Sequence, residues 1–580
     1  MKSVLNLVCL GLLLMISKSL CDYENATNDS SYQFETPSSF YTAAVVEFHA
    51  PGDELIDPEE IVEANLDEYL RLIDEASIKG VDILVFPEAS LNYNGIKTRE
   101  NLSEIAVEIQ TEVPDITNCD YSHDVILNEL SYAVSNASIY ALVNVVEIEF
   151  CNDTELCSDD GFNLYNTNIV FDRNGCIISR YRKFNLFIEP FMNVTKEPDV
   201  ATFETDFGVT FGHFICFDIL FKSPALDLIN LNVTHLLYPS MWYSETPFLT
   251  SVQIQQSFAH RKNIVLLSSG TNSPENSNTG SGIYIGRHGA VDKIISFKNE
   301  TRMIIAEIPK NVDDQDYVSA SPTVKSYIST DMDKLKLWNY KPQNIFPLHK
   351  HFVTTIGKVS CEFTIKYVKL DIPEGHIGYS YRLTAFSGIR TFSGLVNAGE
   401  INCAIISCYE NDDNTCGKKI ENTTNLVPSL EFLSIDIKVT IEDNSENYQV
   451  MPTTLKTSLL PLQTNKYEFV SVVDDDIQIY NVKSSEKLSD LMTFGIYGRN
   501  FNLDEKMAQK KLKTVEIFLD NRDASEITYF DEDDDSIEIK MTIYVILMVG
   551  LSIVTAIMVY RKLQHPYVKP DLGKRKSFVS

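Results

Sequence analysis

VTFGHFICFDILF, residues 209–221, is a bulky apolar run that carries a single cysteine and a single carboxylate. Its pattern reads as a buried strand over 209–216 that ends on Cys216, with Asp218 two positions beyond. No second cysteine lies within 35 residues on either side. Two readings of Cys216 compete. An unpaired buried cysteine is commonly a small hydrophobe without chemistry. The other reading is a nucleophile placed where a core strand gives way to a loop. Compartment, cysteine count and the company that Cys216 keeps decide between them.

Outward from this run the same texture repeats. TAAVVEFH (42–49), VDILVF (81–86), YALVNVVEI (140–148), NTNIVFD (166–172), VTHLLYPS (233–240) and NIVLLSSG (263–270) all read as buried strands. Between the first two lies a helix with Asp57 as its cap, Pro58 in its first turn, an apolar stripe of Val62, Leu66, Tyr69, Ile73 and Ala76, and Gly80 as its stop. Apolar strands alternating with helices predict an α/β layered domain over about 40–310, its strands covered on both faces. The texture then changes. LSIDIKVTI (433–441) alternates strictly, with Leu433, Ile435, Ile437, Val439 and Ile441 on one face. CEFTIKYVKL, YRLTAFSGIRTF and NCAIISCYE are similar, so 345–515 is expected to be a second, β-rich domain with one wet sheet face, stapled by disulfides.

Both termini carry targeting features. Residues 1–21 have the layout of a secretory signal peptide, with an apolar run from Val4 to Ile16 followed by Ser17-Lys18-Ser19. Nine N-x-S/T sequons follow, at Asn25, Asn28, Asn101, Asn136, Asn152, Asn193, Asn232, Asn299 and Asn422. An acidic stalk is expected at 516–540, then a transmembrane helix at 541–560, then a basic cytoplasmic tail at 561–580. The basic flank stays inside, which makes this a single-pass cell-surface protein with its large N-terminal part outside. The net charge of −32 argues against nucleic acid as a partner. The sequence leaves the oligomeric state open.

The compartment makes the cysteines countable. Of 11 in the chain, Cys9 and Cys21 go with the leader and nine remain. Eight can pair in an oxidising environment and one is left over. The isolated Cys216 is the best candidate for the free thiol.

Reactive groups in layered α/β domains gather where strands end. Glu88 follows ILVFP, Lys183 lies in SRYRKFNLF, and Cys216 ends GHFIC. Singly, each has a bland reading as a helix cap, a solvated strand-edge cation or a core residue. Together they are the parts needed to cut an amide through a thioester. A carboxylate takes the thiol proton, an ammonium stabilises the oxyanion, and the resulting carboxylic acid protonates the departing amine before activating water.

FPEASL, RYRKFNLF and GHFICFDILF, in that order, resemble the Glu-Lys-Cys triad of the nitrilase (carbon–nitrogen hydrolase) superfamily. YNTNIVFDRNG, NVTKEPDVATFETDFG, CFDILFKSPALDLI, YPSMW and NTGSGIYI are similar to its vanin and biotinidase branch, and AFSGIRTFSG with INCAIISC to that branch's C-terminal β domain. The resemblance covers nearly all of residues 40–515. It implies a nitrilase-type α-β-β-α sandwich for the first domain, with Glu88 as general base and acid, Lys183 on the oxyanion and Cys216 as nucleophile. Glu189 resembles the second acid of such sites, with a capping or surface role as the alternative. Trp242 and Tyr243 either line the substrate pocket or form an aromatic core pair. His213 is expected on the opposite strand face, in the core. Neither a metal site nor a cofactor motif stands out.

The resemblance implies an extracellular amidohydrolase acting on a small-molecule amide, with pantetheine, cleaved to pantothenate and cysteamine, as the first expectation. A biotinidase-like amidase is the alternative within the branch. A catalytically silent glycoprotein of the same fold is the alternative outside it, and it would be marked by loss of a triad member.

Overall fold

The computed structural model describes residues 38–504, apart from 94–95, 97, 110–118, 153–156, 315–324, 329–334, 394–395, 410–411, 420–424, 444 and 475. The expected leader, stalk, membrane segment and tail lie outside the described residues, as do Asn25, Asn28 and Asn422. Among the described residues, no helix is long and apolar enough to cross a membrane.

Hydrogen bonds link 13 strands of the N-terminal part into two sheets that meet at one corner. The first runs, in spatial order, Arg302–Pro309, Phe40–Phe48, Ile83–Val85, Tyr140–Phe150, Phe162–Phe171 and Ile177–Arg182. The second has Val265–Thr271 between Ser281–Ile285 and His235–Ser240, with Thr210–His213 beyond. They touch where Glu47 and Phe48 pair with Gly270 and Thr271.

Alternation along each strand explains the layering. Ala43, Val45, Ile83, Val85 and Leu142 point one way and meet Phe211, Leu237, Val265 and Leu267 of the other sheet. Their neighbours Ala44, Val46, Phe48 and Leu84 point the other way, onto Leu66, Tyr69, Leu72 and Ile73 of the Pro58–Ile78 helix. That helix starts as expected, with the Asp57 carboxylate accepting from the N–H groups of Glu59 and Glu60 at 3.0 and 3.3 Å. On the outer face of the second sheet, Leu236, Tyr238 and Leu266 pack on Ile254 and Phe258 of the Ser251–Lys262 helix. Helix, sheet, sheet and helix follow one another, which is the expected sandwich.

Residues 345–503 form two sheets packed face to face, antiparallel except where Leu426–Pro428 runs parallel to Ile377–Phe392. One holds Ile377–Phe392, Val396–Cys408, Leu491–Asn500 and Tyr448–Lys456 as neighbours; the other holds Val359–Lys369 and Leu430–Ile441 at its centre. Two expectations need correcting here. The Val396–Cys408 strand is buried on both faces, not one. Its Ile401, Cys403 and Ile405 enter the domain's own core, while Ala404, Ile406 and Cys408 pack against Phe217, Trp242 and Phe248 of the α/β part. Leu433 is 38% exposed and leaves the apolar face of its strand. The register shift between Lys366 and Tyr367 skips one residue of the opposite strand, and that residue is Leu433.

The cysteine arithmetic holds among the described residues. Disulfides join Cys119–Cys176, Cys151–Cys157, Cys361–Cys403 and Cys408–Cys416, and Cys216 is the free thiol. Cys361–Cys403 ties the two sheets of the C-terminal part together.

Candidate active site

Three strand ends deliver the side chains. Glu88 lies three residues past Ile83–Val85, Lys183 directly follows Ile177–Arg182, and Cys216 lies three residues past Thr210–His213. Cys216 therefore does not end the strand, as its sequence suggested. It opens a 3-10 turn with φ 47°, a left-handed conformation that costs a side-chain-bearing residue energy and is held by its surroundings.

Asp218 provides that hold. Its Oδ2 accepts from the Ile215 N–H at 3.0 Å and the Tyr181 hydroxyl at 2.8 Å, and its Oδ1 accepts from the Asn185 backbone and side chain at 3.0 and 2.7 Å. The Tyr238 hydroxyl donates to the Cys216 carbonyl at 2.9 Å. The turn presents the thiol on a rigid elbow, as strained strand-to-helix turns do for other nucleophiles.

The three residues converge. Lys183 Nζ donates to Oε1 of Glu88 and to Oε1 of Glu189, each at 2.5 Å. The Asn166 amide nitrogen bridges the same two carboxylates, reaching Glu88 Oε1 at 2.9 Å and Glu189 Oε2 at 2.7 Å. Asn144 holds Asn166 through a 2.7 Å bond and takes the Ala89 N–H at 2.8 Å, fixing the turn behind Glu88. The Met241 N–H donates to Glu88 Oε2 at 2.6 Å, and the Thr271 hydroxyl to the Glu88 carbonyl at 2.6 Å. Glu88, Lys183, Glu189 and Cys216 are all buried.

Electrostatics follow from this packing. Burial lowers the pKa of the Lys183 ammonium, but Glu189 and Glu88 outweigh it and hold the group well above its ordinary range. Burial raises Glu189, against the pull of Lys183. The Cys216 thiol is pushed well up, first by burial and then by the Glu88 charge beside it, with Lys183 pulling the other way. The Cys216 thiol thus sits beside Glu88, which is itself bonded to Lys183.

Cys216 opens onto a cleft lined mostly by aromatic side chains. Phe187, Phe217, Trp242, Tyr243, Trp338 and Phe392 wall it, with Glu245 and Arg390 as polar groups in the lining. Trp242 and Tyr243 thus line the pocket, and Trp242 is also anchored by its Nε1–H to the Leu249 carbonyl at 2.8 Å. Phe392 and Arg390 come from the C-terminal domain, so both domains build the cleft. His213 is core, with Nε2 2.8 Å from Ser179 Oγ. Glu189 is buried, and its Oε1 also accepts the Phe187 N–H at 3.1 Å.

Of the six described sequons, Asn136, Asn152, Asn232 and Asn299 are exposed, whereas Asn101 and Asn193 are partly covered. The Asn193 amide nitrogen is engaged within the fold, donating to Ser158 Oγ at 2.8 Å.

Residues 49–261 match the carbon–nitrogen hydrolase family model, and 332–504 match the vanin C-terminal domain. Vanin-like protein 2 of Drosophila melanogaster is 35% identical over 492 residues, covering 80% of this chain and 90% of that protein. The chain belongs to the vanin family of carbon–nitrogen hydrolases. Other relatives include human pantetheinase, 29% identical over 379 residues (63% of this chain, 72% of that protein). Takifugu rubripes biotinidase is 25% identical over 471 residues (76% of this chain, 89% of that protein). As a vanin-family protein, the chain is an amide-hydrolysing enzyme.

The sequence did not single out Asn166, Asp218, Tyr238, Arg390 or Phe392 in this vanin-family site. Asn166 lies inside the YNTNIVFDRNG motif and Asp218 beside the key cysteine, so both were in view without a role. Arg390 and Phe392 belong to another domain, and only the folded chain brings them to the cleft.

Proposed function

We propose that Cys216, Glu88 and Lys183 are the catalytic residues and that the substrate is pantetheine, released as pantothenate and cysteamine. The observation that carries this reading is the convergence of one ammonium and two carboxylates behind a thiol that opens onto an aromatic cleft.

In the first half-reaction Glu88 takes the thiol proton as Sγ adds to the amide carbonyl. The negative charge that develops on the carbonyl oxygen faces the Lys183 ammonium, whose cost of charging is already met by its carboxylate partners. Protonated Glu88 then gives its proton to the departing amine, and the acyl group stays on Cys216 as a thioester. In the second half-reaction Glu88 takes a proton from water, whose oxygen attacks the thioester. The carboxylic acid leaves and Glu88 returns the proton to the sulfur. Glu189 and Asn166 hold Lys183 and Glu88 in place throughout.

The similarity to a biotinidase over most of the chain supports biotinyl-lysine as the second candidate. A side-by-side assay of the purified protein on pantetheine and biotinyl-lysine tests the reading. A higher kcat/KM on pantetheine supports it, and the reverse order replaces pantetheine with the biotin amide.

We also infer that the enzyme is a glycoprotein that works outside the cell, held there by the 541–560 segment. Four disulfides among the described residues and the exposed sequons support a secretory route. Detection of the intact chain at the surface of expressing cells, resistant to carbonate extraction, tests this. Release of the chain into the medium contradicts it.

A further inference from the structure

A second cleft, of about 890 Å3, lies where the α/β and β-rich domains meet and shares no lining residue with the catalytic one. Its lining includes four lysines, Lys293, Lys456, Lys466 and Lys487, against one carboxylate, Glu486. Such a concentration of cations is unexpected in a chain whose net charge is −32.

Three of the lysines are ordinary surface groups. Lys456 stands 3.5 Å from Asp490, Lys466 2.8 Å from Glu486, and Lys487 3.2 Å from Glu431, with lysine side chains 40, 32 and 63% exposed. Exposed pairs of this kind contribute little, so their ammonium groups are free to reorient toward a ligand.

Lys293 is different. It is 3% exposed on the Gly289–Ile295 strand, yet it reaches the cleft wall. Its ammonium has three protons to donate and, among the described residues, one acceptor, Gln256 Oε1 at 2.9 Å. Gln256 is itself fixed by donating to the Leu462 carbonyl at 2.6 Å. Burial alone, with no described carboxylate to offset it, pulls the Lys293 pKa down to about 7. A buried amine in that position is stabilised by an anion that accepts its two remaining N–H groups.

We propose that this cleft binds an oxyanion, a phosphate or sulfate group, with Lys293 at its base and Lys456, Lys466 and Lys487 at its rim. The ligand is either the free ion or the terminal group of a small organic ester; the recognising chemistry is the same. Lys293 belongs to the α/β domain and the other three lysines to the β-rich domain, so the bound anion also links the two.

Calorimetric titration of the full-length protein with inorganic phosphate and with glycerol 1-phosphate, against chloride at matched ionic strength, tests the proposal. Saturable one-to-one binding is expected, and the stronger of the two probes tells free ion from ester. Lys293→Met should weaken it by about tenfold or more, the effect of losing one charge-assisted pair. A Lys466→Ser, Lys487→Ser double variant, altered only on the surface, should weaken it several-fold. Amide hydrolysis should be unchanged in both. Phosphate binding no stronger than chloride overturns the proposal, as does full binding in the double variant or in a folded Lys293→Met protein.

Discussion

Glu189 Oε1 lies 2.5 Å from Lys183 Nζ, the same distance that separates Lys183 from Glu88. The Lys183 ammonium is thus shared between two buried carboxylates, and removing either lowers its pKa. Glu189→Gln keeps the shape and deletes one of the two carboxylates that raise the Lys183 pKa. Burial then pulls that pKa down, so the alkaline limb of the kcat/KM profile should move to lower pH. We expect kcat to fall by about 10²-fold, as for loss of one oxyanion-stabilising contact, with KM nearly unchanged. An unshifted alkaline limb would show that Glu189 serves structure alone.

Glu88→Gln should separate two activities of the same sulfur. Turnover should collapse, because no base remains. The thiol pKa, however, is raised by burial and then by the Glu88 charge, and lowered by Lys183. Neutralising Glu88 therefore brings the thiol down, and alkylation of Cys216 by iodoacetamide at pH 8 should speed up. Peptide mass mapping follows it directly; slower alkylation than in the wild type would contradict this account of the thiol.

Arg390 is buried between Glu245 and Glu400, bonding Glu400 Oε2 at 3.1 Å and pairing with Glu245 at shorter range. Arg390→Met leaves both carboxylates uncompensated where the two domains meet. Unfolding free energy should drop by about 3–5 kcal/mol, the cost of breaking a buried pair from one side. Urea denaturation measures it, and a loss below about 1 kcal/mol would mean that water reaches the pair.

His213 gives the fold an acid sensitivity with a defined sign. Burial lowers its pKa from 6.5 to about 3. Below pH 6.5 the unfolded chain takes up a proton that the folded one refuses, so stability falls with pH until about pH 3. The full contribution is on the order of 5 kcal/mol. Glu47 and Asp218, which burial raises to about 7 and about 6, act in the opposite direction over part of this range. The clean measurement is a difference: the stability gap between wild type and His213→Asn should narrow as pH falls from 7 to 4. A constant gap would mean that the ring is protonated in the folded state.

The sandwich was legible because its strands are buried on both faces and its main helix carries a cap, a stripe and a stop. The convergence of Glu88, Lys183 and Cys216 was legible because each sits in a motif beside a strand. Three things were not. The position of Cys216 beyond its strand depends on Asp218 capping Ile215 through space, which apolarity alone does not encode. The dry outer face of the Val396–Cys408 strand depends on the docking of one domain on the other. Leu433 was misplaced because a bulge in the partner pairing breaks an otherwise perfect alternation.

The most direct test of the central claim is the turnover number of purified Cys216→Ala on pantetheine, measured with a melting curve to show that the protein is folded. Loss of roughly 10⁴-fold or more with the melt preserved is the predicted result. Turnover within tenfold of wild type would show that the sulfur at residue 216 is not the nucleophile.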